Sequence, residues 1–166
     1  GHHVTLFNRG RSEDRRKRAG RPSAVPAGVD VLYGNRDPNK TADTDDDAKA
    51  GDTPVVPEGD SPKGLSQLEG KSWDAVIDTS GYWPRIVKAS AELLSKNVRQ
   101  YVFISSISVY KDTSKAGLDE TTPVGELTEP DREAFGDGFE RYGPAKAACE
   151  AAAEAAMPGR VTNIRP

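Results

Sequence analysis

The sequence predicts an α/β protein built on a parallel β-sheet, and three observations support this. Short segments rich in β-forming residues alternate along the chain with segments of helical pattern. One of them, residues 99–105 (RQYVFIS), is almost continuously apolar, as expected for a strand that is buried on both faces. Crossover helices can be placed before the fourth and fifth strands, and parallel strands require such connections.

The predicted elements follow in chain order. Runs of β-forming residues bounded by turn or polar residues predict five strands, at residues 3–7, 29–33, 73–78, 99–105 and 160–165. Residues 84–97 form a predicted crossover helix, because Pro84 suits a helix start and apolar residues recur behind it. The alanine-rich run from Tyr142 to Met157 is the second, with Pro144 tolerated only in its first turn.

Three polar segments do not fit this alternation. Residues 38–64 are rich in Asp, Thr, Pro and Gly without an apolar period, which predicts a mobile surface insertion. Residues 111–138 form a second polar segment that leads from the fourth strand to the tyrosine-bearing helix. Residues 9–21 (RGRSEDRRKRAGR) are locally basic, and we interpret them as a solvated face or a phosphate-facing loop.

Composition limits the classes of function. With 166 residues, 35% of them hydrophobic and 30% charged, the chain suits one soluble domain with polar loops. No apolar run approaches the ~20 residues of a membrane span. The net charge of −3 disfavours a general electrostatic grip on nucleic acid. Cys149 is the only cysteine, so no internal disulfide forms and a reducing cytoplasm is the expected compartment. No metal site is predicted.

Polar residues gather where the predicted strands end. In an open parallel sheet, ligands bind at the carboxyl ends of the strands. Residues 104–110 (ISSISVY) end the fourth strand and supply three serines. The predicted cofactor-binding residues lie at the other strand ends and are Asn8, Arg9, Thr79, Ser80, Gly81 and Pro166.

Tyr142 and Lys146 are the candidate catalytic pair. Residues four apart lie on one face of a helix, so the two side chains are neighbours. At about 4 Å and an effective dielectric constant of about 20, an ammonium stabilises a phenolate by up to ~4 kcal/mol. A serine hydroxyl from the neighbouring strand end would orient a substrate hydroxyl or carbonyl against the tyrosine. The spacing therefore indicates a tuned general acid/base.

These motifs resemble a known family. The segments YVFISSISVY, YGPAKAACE and TNIRP together resemble the extended or atypical short-chain dehydrogenase/reductase superfamily, the NAD(P)-dependent epimerases and dehydratases. GHHVTLFNRG and WDAVIDTSGY resemble the second and fourth strands of the same fold, so the resemblance covers nearly the whole chain outside the polar insertion. It implies a Rossmann-like, doubly wound parallel sheet.

The resemblance also implies roles for individual residues. Tyr142 would be the acid/base, and Lys146 would be its electrostatic partner and a ligand of the cofactor ribose. The position relative to the Val-Tyr pair selects Ser106, rather than Ser105 or Ser108, as the residue that positions the substrate. The implied activity is that of an oxidoreductase using NADP or NAD on a nucleotide sugar or similar polyol.

Arg9 bears on the cofactor. Arginine suits a 2′-phosphate, whereas an acidic residue at this turn would favour NAD, so Asn8-Arg9 favours NADP. The alternative is that Arg9 stacks on the adenine or faces solvent.

A second function is also compatible with the fold, namely that of a non-catalytic binding protein, because some atypical relatives resemble RNA-binding proteins. The acidic balance disfavours RNA, and a small molecule is the expected partner.

Two features depart from the family pattern. The glycine-rich turn G-x-x-G-x-x-G of the first strand-helix unit is not found, and no substrate-binding domain follows the last strand. We therefore interpret residues 1–166 as a partial NAD(P)-binding domain from a larger protein. This partial domain would be a poor enzyme alone.

Small side chains on the last helix would either allow a second copy to pack against it in a homodimer or pack on their own sheet; they are Ala147, Ala148, Ala151 and Ala155.

Overall fold

The computed structural model describes residues 1–39, 64–114, 116–128 and 139–166. In these ranges the chain is mixed α/β, with two small parallel sheets and three α-helices, so the predicted class is confirmed at that level. The chain divides into two compact units, Gly1–Glu69 (unit 1) and Gly70–Pro166 (unit 2). Of the predicted insertion 38–64, residues 40–63 lie outside the described ranges, and Gly64 begins a 3₁₀ turn that ends at Leu68.

Unit 1 contains two parallel strands joined by a helix. Strand β1 (Thr5–Asn8) pairs with β2 (Asp30–Tyr33), in a register that runs from Thr5 opposite Asp30 to Asn8 opposite Tyr33. Helix α1 (Arg11–Arg18) lies between them in the chain. Both strands were predicted, and their observed bounds differ from the prediction by at most two residues.

Helix α1 occupies residues 11–18 of the basic segment 9–21, for which no helix was predicted. Gly10 caps the helix in the left-handed region, at φ 74°, and its N–H donates to Asn8 Oδ1 at 2.7 Å. Acidic residues in the first turn and basic residues in the last complement the helix dipole. No residue of α1 is buried. Residues 11–18 of the basic segment therefore form a solvated helix, and residues 9–10 and 19–21 lie outside it.

Unit 2 contains a three-stranded parallel sheet in the order β3–β4–β5. The strands are Trp73–Asp78, Val98–Ile104 and Val161–Ile164. Helix α2 (Pro84–Leu94) connects β3 to β4 and begins at Pro84, whose fixed φ suits a first turn. It ends at Leu94 rather than at the predicted residue 97. Helix α3 (Tyr142–Ala156) precedes β5 and holds Pro144 in its first turn, as predicted.

The core of unit 2 lies between one face of its sheet and helices α2 and α3. Its fully buried members alternate along β4 and recur at helical spacing on the two helices; they include Tyr101, Phe103, Val87, Ala91, Ala145, Cys149 and Ala153. Cys149 is a buried packing residue, as the sequence indicated. On the opposite face of the sheet Ile77 is 66% exposed.

Residues 111–114 and 116–128 contain no helix or strand; Tyr110, just before them, forms an isolated antiparallel bridge with Val124. In the described parts of the chain, none of the helices has the length and apolar character that a membrane crossing requires.

Candidate active site

Lys146 is a buried polar side chain at the strand ends of unit 2. Its Nζ donates to the carbonyl of Gly81, just beyond β3, at 2.7 Å and to the carbonyl of Ile104, the last residue of β4, at 2.8 Å. The ammonium also lies 4.1 Å from the centroid of the Phe103 ring and 5.6 Å from that of Tyr82. The side chain thereby links α3 to the carboxyl ends of two parallel strands.

Gly81 can reach this lysine because it has no side chain. A Cβ at this position would lie 2.6 Å from Val87 Cγ2 and would collide with the Phe103 ring. The loop before it is held by the buried carboxylate of Asp78, which accepts from the Ser80 N–H at 3.1 Å and from the Tyr101 hydroxyl at 2.7 Å. Close packing and a buried carboxylate therefore fix the carbonyl that Lys146 binds.

Tyr142 is the first residue of α3, one turn before Lys146. It is half-buried, and its ring lies 6.5 Å from the Tyr82 ring, centroid to centroid, with the planes tilted by 44°. The next residue, Gly143, is buried directly against the carbonyl of Ser108, where a Cβ would clash. Glycine thus lets the start of α3 approach the chain that follows β4.

The three serines after β4 have different environments. Ser106 is half-buried, and its Oγ accepts from the Ser108 N–H at 3.1 Å, so it caps the 3₁₀ turn Ile107–Val109. Ser105 is buried, and its Oγ has no hydrogen-bond partner among the described residues. Ser108 is exposed. Ser106 and Tyr142 therefore border the same contact, in which α3 lies against this turn.

The remaining predicted residues of unit 2 lie at the same end of its sheet. Thr79 and Ser80 are exposed and follow β3 directly, while Gly81 is buried. The carbonyl of Pro166 accepts from the Ile107 N–H at 2.9 Å, which ties the chain after β5 to the turn after β4. Thr79, Ser80, Gly81, Ser106, the first turn of α3 and the residues after β5 thus lie at one end of this sheet.

Asn8 and Arg9 belong to unit 1. The Asn8 side chain holds the Gly10 N–H, so it shapes the turn between β1 and α1. Arg9 is exposed in that turn.

Sequence reasoning missed a buried ion pair beside the candidate pair. Arg165 Nε and Nη2 donate to the two carboxylate oxygens of Glu150 at 3.0 and 2.7 Å. These hydrogen bonds raise the pKa of the Arg165 guanidinium above its ordinary value, against the opposing effect of burial. The guanidinium also lies 5.0 Å from the centroid of the Tyr110 ring. One signal was available, because Tyr142, Lys146 and Glu150 repeat at intervals of four residues.

The four alanines predicted to form a small-residue surface on α3 differ in exposure. Ala147 is buried within unit 2, Ala148 is half-buried, and Ala151 and Ala155 are exposed. Within the described ranges, no group of three or more His, Cys, Asp or Glu residues has the arrangement of a metal site.

Comparison of the sequence with protein-family models finds no match, and neither does comparison with curated proteins.

Proposed function

We propose that this chain carries the acid/base centre of an NAD(P)-dependent oxidoreductase of the epimerase/dehydratase or reductase type. Its substrate would be a small molecule with a carbinol carbon, such as a nucleotide sugar or similar polyol. The observation that carries this proposal is the seating of Lys146 on the carbonyls of Gly81 and Ile104, one helical turn from Tyr142. The proposal includes a Rossmann-like arrangement of the strands, because ligands of such sheets bind at the carboxyl ends of the strands.

Two acceptors of Lys146 are the carbonyls of Gly81 and Ile104. They fix the position of the ammonium one helical turn from Tyr142. A positive charge near a phenol favours transfer of the phenolic proton. Lys146 is thus suited to helping Tyr142 give and take a proton.

In the proposed reaction, the Tyr142 phenolate accepts the proton of a substrate hydroxyl, and the phenol returns it in the reverse direction. The Ser106 hydroxyl donates to the same substrate oxygen and orients it toward the tyrosine. The nicotinamide, when bound, supplies the hydride acceptor or donor. Lys146 keeps its hydrogen bonds to the two carbonyls throughout this step.

The residues present fit the cofactor unequally. In unit 2, exposed Thr79 and Ser80 and the Lys146 ammonium are donors suited to ribose and nicotinamide oxygens. In unit 1, the turn after β1 carries exposed Arg9 and no carboxylate, which supports NADP over NAD. The sequence holds no G-x-x-G-x-x-G turn for the pyrophosphate, so we assign no residue to it. A cytoplasmic location and a homodimer through exposed Ala151 and Ala155 also belong to this proposal.

The proposal is tested by measuring which ligands the chain binds. NADPH and NADH are titrated against the chain while tryptophan fluorescence is recorded, because Trp73 and Trp83 both lie in unit 2. A single-stranded RNA of mixed sequence is the parallel ligand. Saturable binding of NADPH that is weakened by Lys146→Met, but not by Lys88→Met, supports the proposal. RNA binding without dinucleotide binding would replace it with the non-catalytic alternative.

A further inference from the structure

Three buried polar atoms on the sheet of unit 2 have no hydrogen-bond partner among the described residues. They are Ser105 Oγ, Asn163 Oδ1 and Arg165 Nη1. Ser105 is only 5% exposed, and the proposed reaction uses none of the three atoms. Buried polar atoms are normally paired with protein or with ordered water, because an unpaired one carries its full desolvation cost. Three such atoms in one part of the sheet therefore indicate a shared partner.

The strand ladder places Ser105 opposite Arg165. Ile104 pairs with Ile164 at the end of the register between β4 and β5, and the Ser105 N–H donates to the Ile164 carbonyl at 2.7 Å. A further hydrogen bond of 2.9 Å, two residues along each strand, shows that the two segments stay side by side. Because adjacent strands lie about 4.8 Å apart, the Ser105 and Arg165 backbones are that close.

All three side chains lie on the face of the sheet that carries α3. Asn163 is opposite Phe103, which is fully buried on that face. Residues two apart in a strand share a face, so Ser105 follows Phe103 and Arg165 follows Asn163 on the same side. From this side Arg165 reaches Glu150 of α3 with Nε and Nη2, and Nη1 is the nitrogen that the carboxylate does not bind.

The hydrogen-bonding character of the three atoms suits one water molecule. Arg165 Nη1 is a donor, Asn163 Oδ1 is an acceptor, and the Ser105 hydroxyl is both. A water can accept from the guanidinium, donate to the amide oxygen and form its third bond with the hydroxyl, and buried waters make about three hydrogen bonds. An anion would meet the amide oxygen unfavourably, and a cation would meet the guanidinium.

We propose that unit 2 binds one ordered water molecule between Ser105, Asn163 and Arg165. The water bridges β4 and β5 beneath α3, and through Arg165 it connects both strands to Glu150, one helical turn after Lys146. It thereby helps to hold the carboxyl ends of these strands together. The water site is independent of the proposed function, because its three ligands take no part in the proposed reaction.

A high-resolution crystal structure of the chain tests the site directly. The expected result is density for a single water within hydrogen-bond distance of all three atoms. Crystals soaked in sodium bromide are examined for anomalous scattering at the same position, because a halide would fit if the Asn163 amide presented its nitrogen there. Absence of solvent density between the three side chains overturns the inference, and so does a bromide signal.

Urea unfolding followed by tryptophan fluorescence tests the site in solution. Ser105→Ala removes a hydrogen bond if the hydroxyl binds water, whereas it removes a buried unpaired group if no water is bound. We expect the urea midpoint to fall. An unchanged or raised midpoint would overturn the inference.

A second variant tests whether the water is shared. Asn163→Leu removes the amide, and the double variant Ser105→Ala/Asn163→Leu should lose less than the sum of the two single losses, because both side chains bind one water. The matched control is Thr162→Val, since Thr162 lies on the opposite face, where its Oγ1 accepts from Gln100 at 2.8 Å. Its effect should add to that of Ser105→Ala. Additive losses in the Asn163 pair overturn the shared site. If Asn163→Leu does not fold, Asn163→Ala replaces it with the same expectation.

Discussion

Replacing Lys146 by methionine tests the central feature of the candidate site. The substitution keeps the length and apolar character of the stem, which lies by the Phe103 ring, and removes the donor of two hydrogen bonds. Each carbonyl left without a donor in a buried setting costs about 1–3 kcal/mol. Methionine partly offsets this loss because it avoids burying an ammonium. We expect unit 2 to lose about 2–4 kcal/mol of unfolding free energy.

Urea unfolding followed by tryptophan fluorescence measures this loss, since both tryptophans lie in unit 2. With a denaturant slope of about 2 kcal/mol/M, the midpoint should fall by roughly 1–2 M. Lys88→Met is the control, because Lys88 is exposed and its nitrogen lies 3.9 Å from Glu92; its effect should stay below about 0.5 kcal/mol. If Lys146→Met were as mild as this control, the two carbonyl bonds would not hold the site together.

Three further predictions concern the candidate site and unit 1. In the larger protein from which we interpret this chain to come, Tyr142→Phe should lower turnover by roughly 10²–10⁴-fold with little change in dinucleotide affinity, and the double variant Tyr142→Phe/Ser106→Ala should lose far less than the sum of the two single effects; wild-type turnover in Tyr142→Phe would remove the acid/base role. Arg9→Asp should shift the ratio of NADPH to NADH affinity toward NADH, and an unchanged ratio would reject the 2′-phosphate contact. Hydrogen bonds from the Ser23 hydroxyl and, to a lesser extent, the Ala24 N–H hold the pKa of Glu13 below its ordinary value of 4.5. The contribution of these bonds to folding stability is present above pH 4.5 and is lost as the pH falls through the pKa of Glu13 in the folded chain. Ser23→Ala should therefore move the NMR titration of the Glu13 carboxyl upward, and an unmoved titration would contradict the contact.

The sequence predicted the regular elements of unit 2 well because burial governs them. Strand β4 reads as an apolar run because it is the central strand of its sheet, and α2 was placed by Pro84 and its apolar spacing. Helix α1 was missed for the complementary reason. It buries no residue, so its sequence has no apolar period. The local indications of a helix are the Gly10 cap and the placement of acidic residues in the first turn and basic residues in the last.

The candidate site was predictable in its residue types but not in its partners. The spacing of Tyr142 and Lys146 showed that they share a helix face, yet nothing local shows that the ammonium binds the carbonyls of Gly81 and Ile104. The pairing of Glu150 with Arg165 joins a helix to the residue after a strand. Such contacts depend on tertiary geometry, which a single sequence does not display.

The two hydrogen bonds of Lys146 also bear on the order in which unit 2 assembles. They join residues 65 and 42 positions apart in the chain, so the first requires α3 to reach the chain after β3 and the second requires it to reach the end of β4. Contacts of such long range require closure of large loops before they stabilise anything. The lysine should therefore take its place after the transition state of folding, and Lys146→Met should accelerate unfolding more than it slows refolding in stopped-flow experiments. An equal slowing of refolding would contradict this order. The centre proposed for catalysis would then be among the last parts of unit 2 to form and among the first to open.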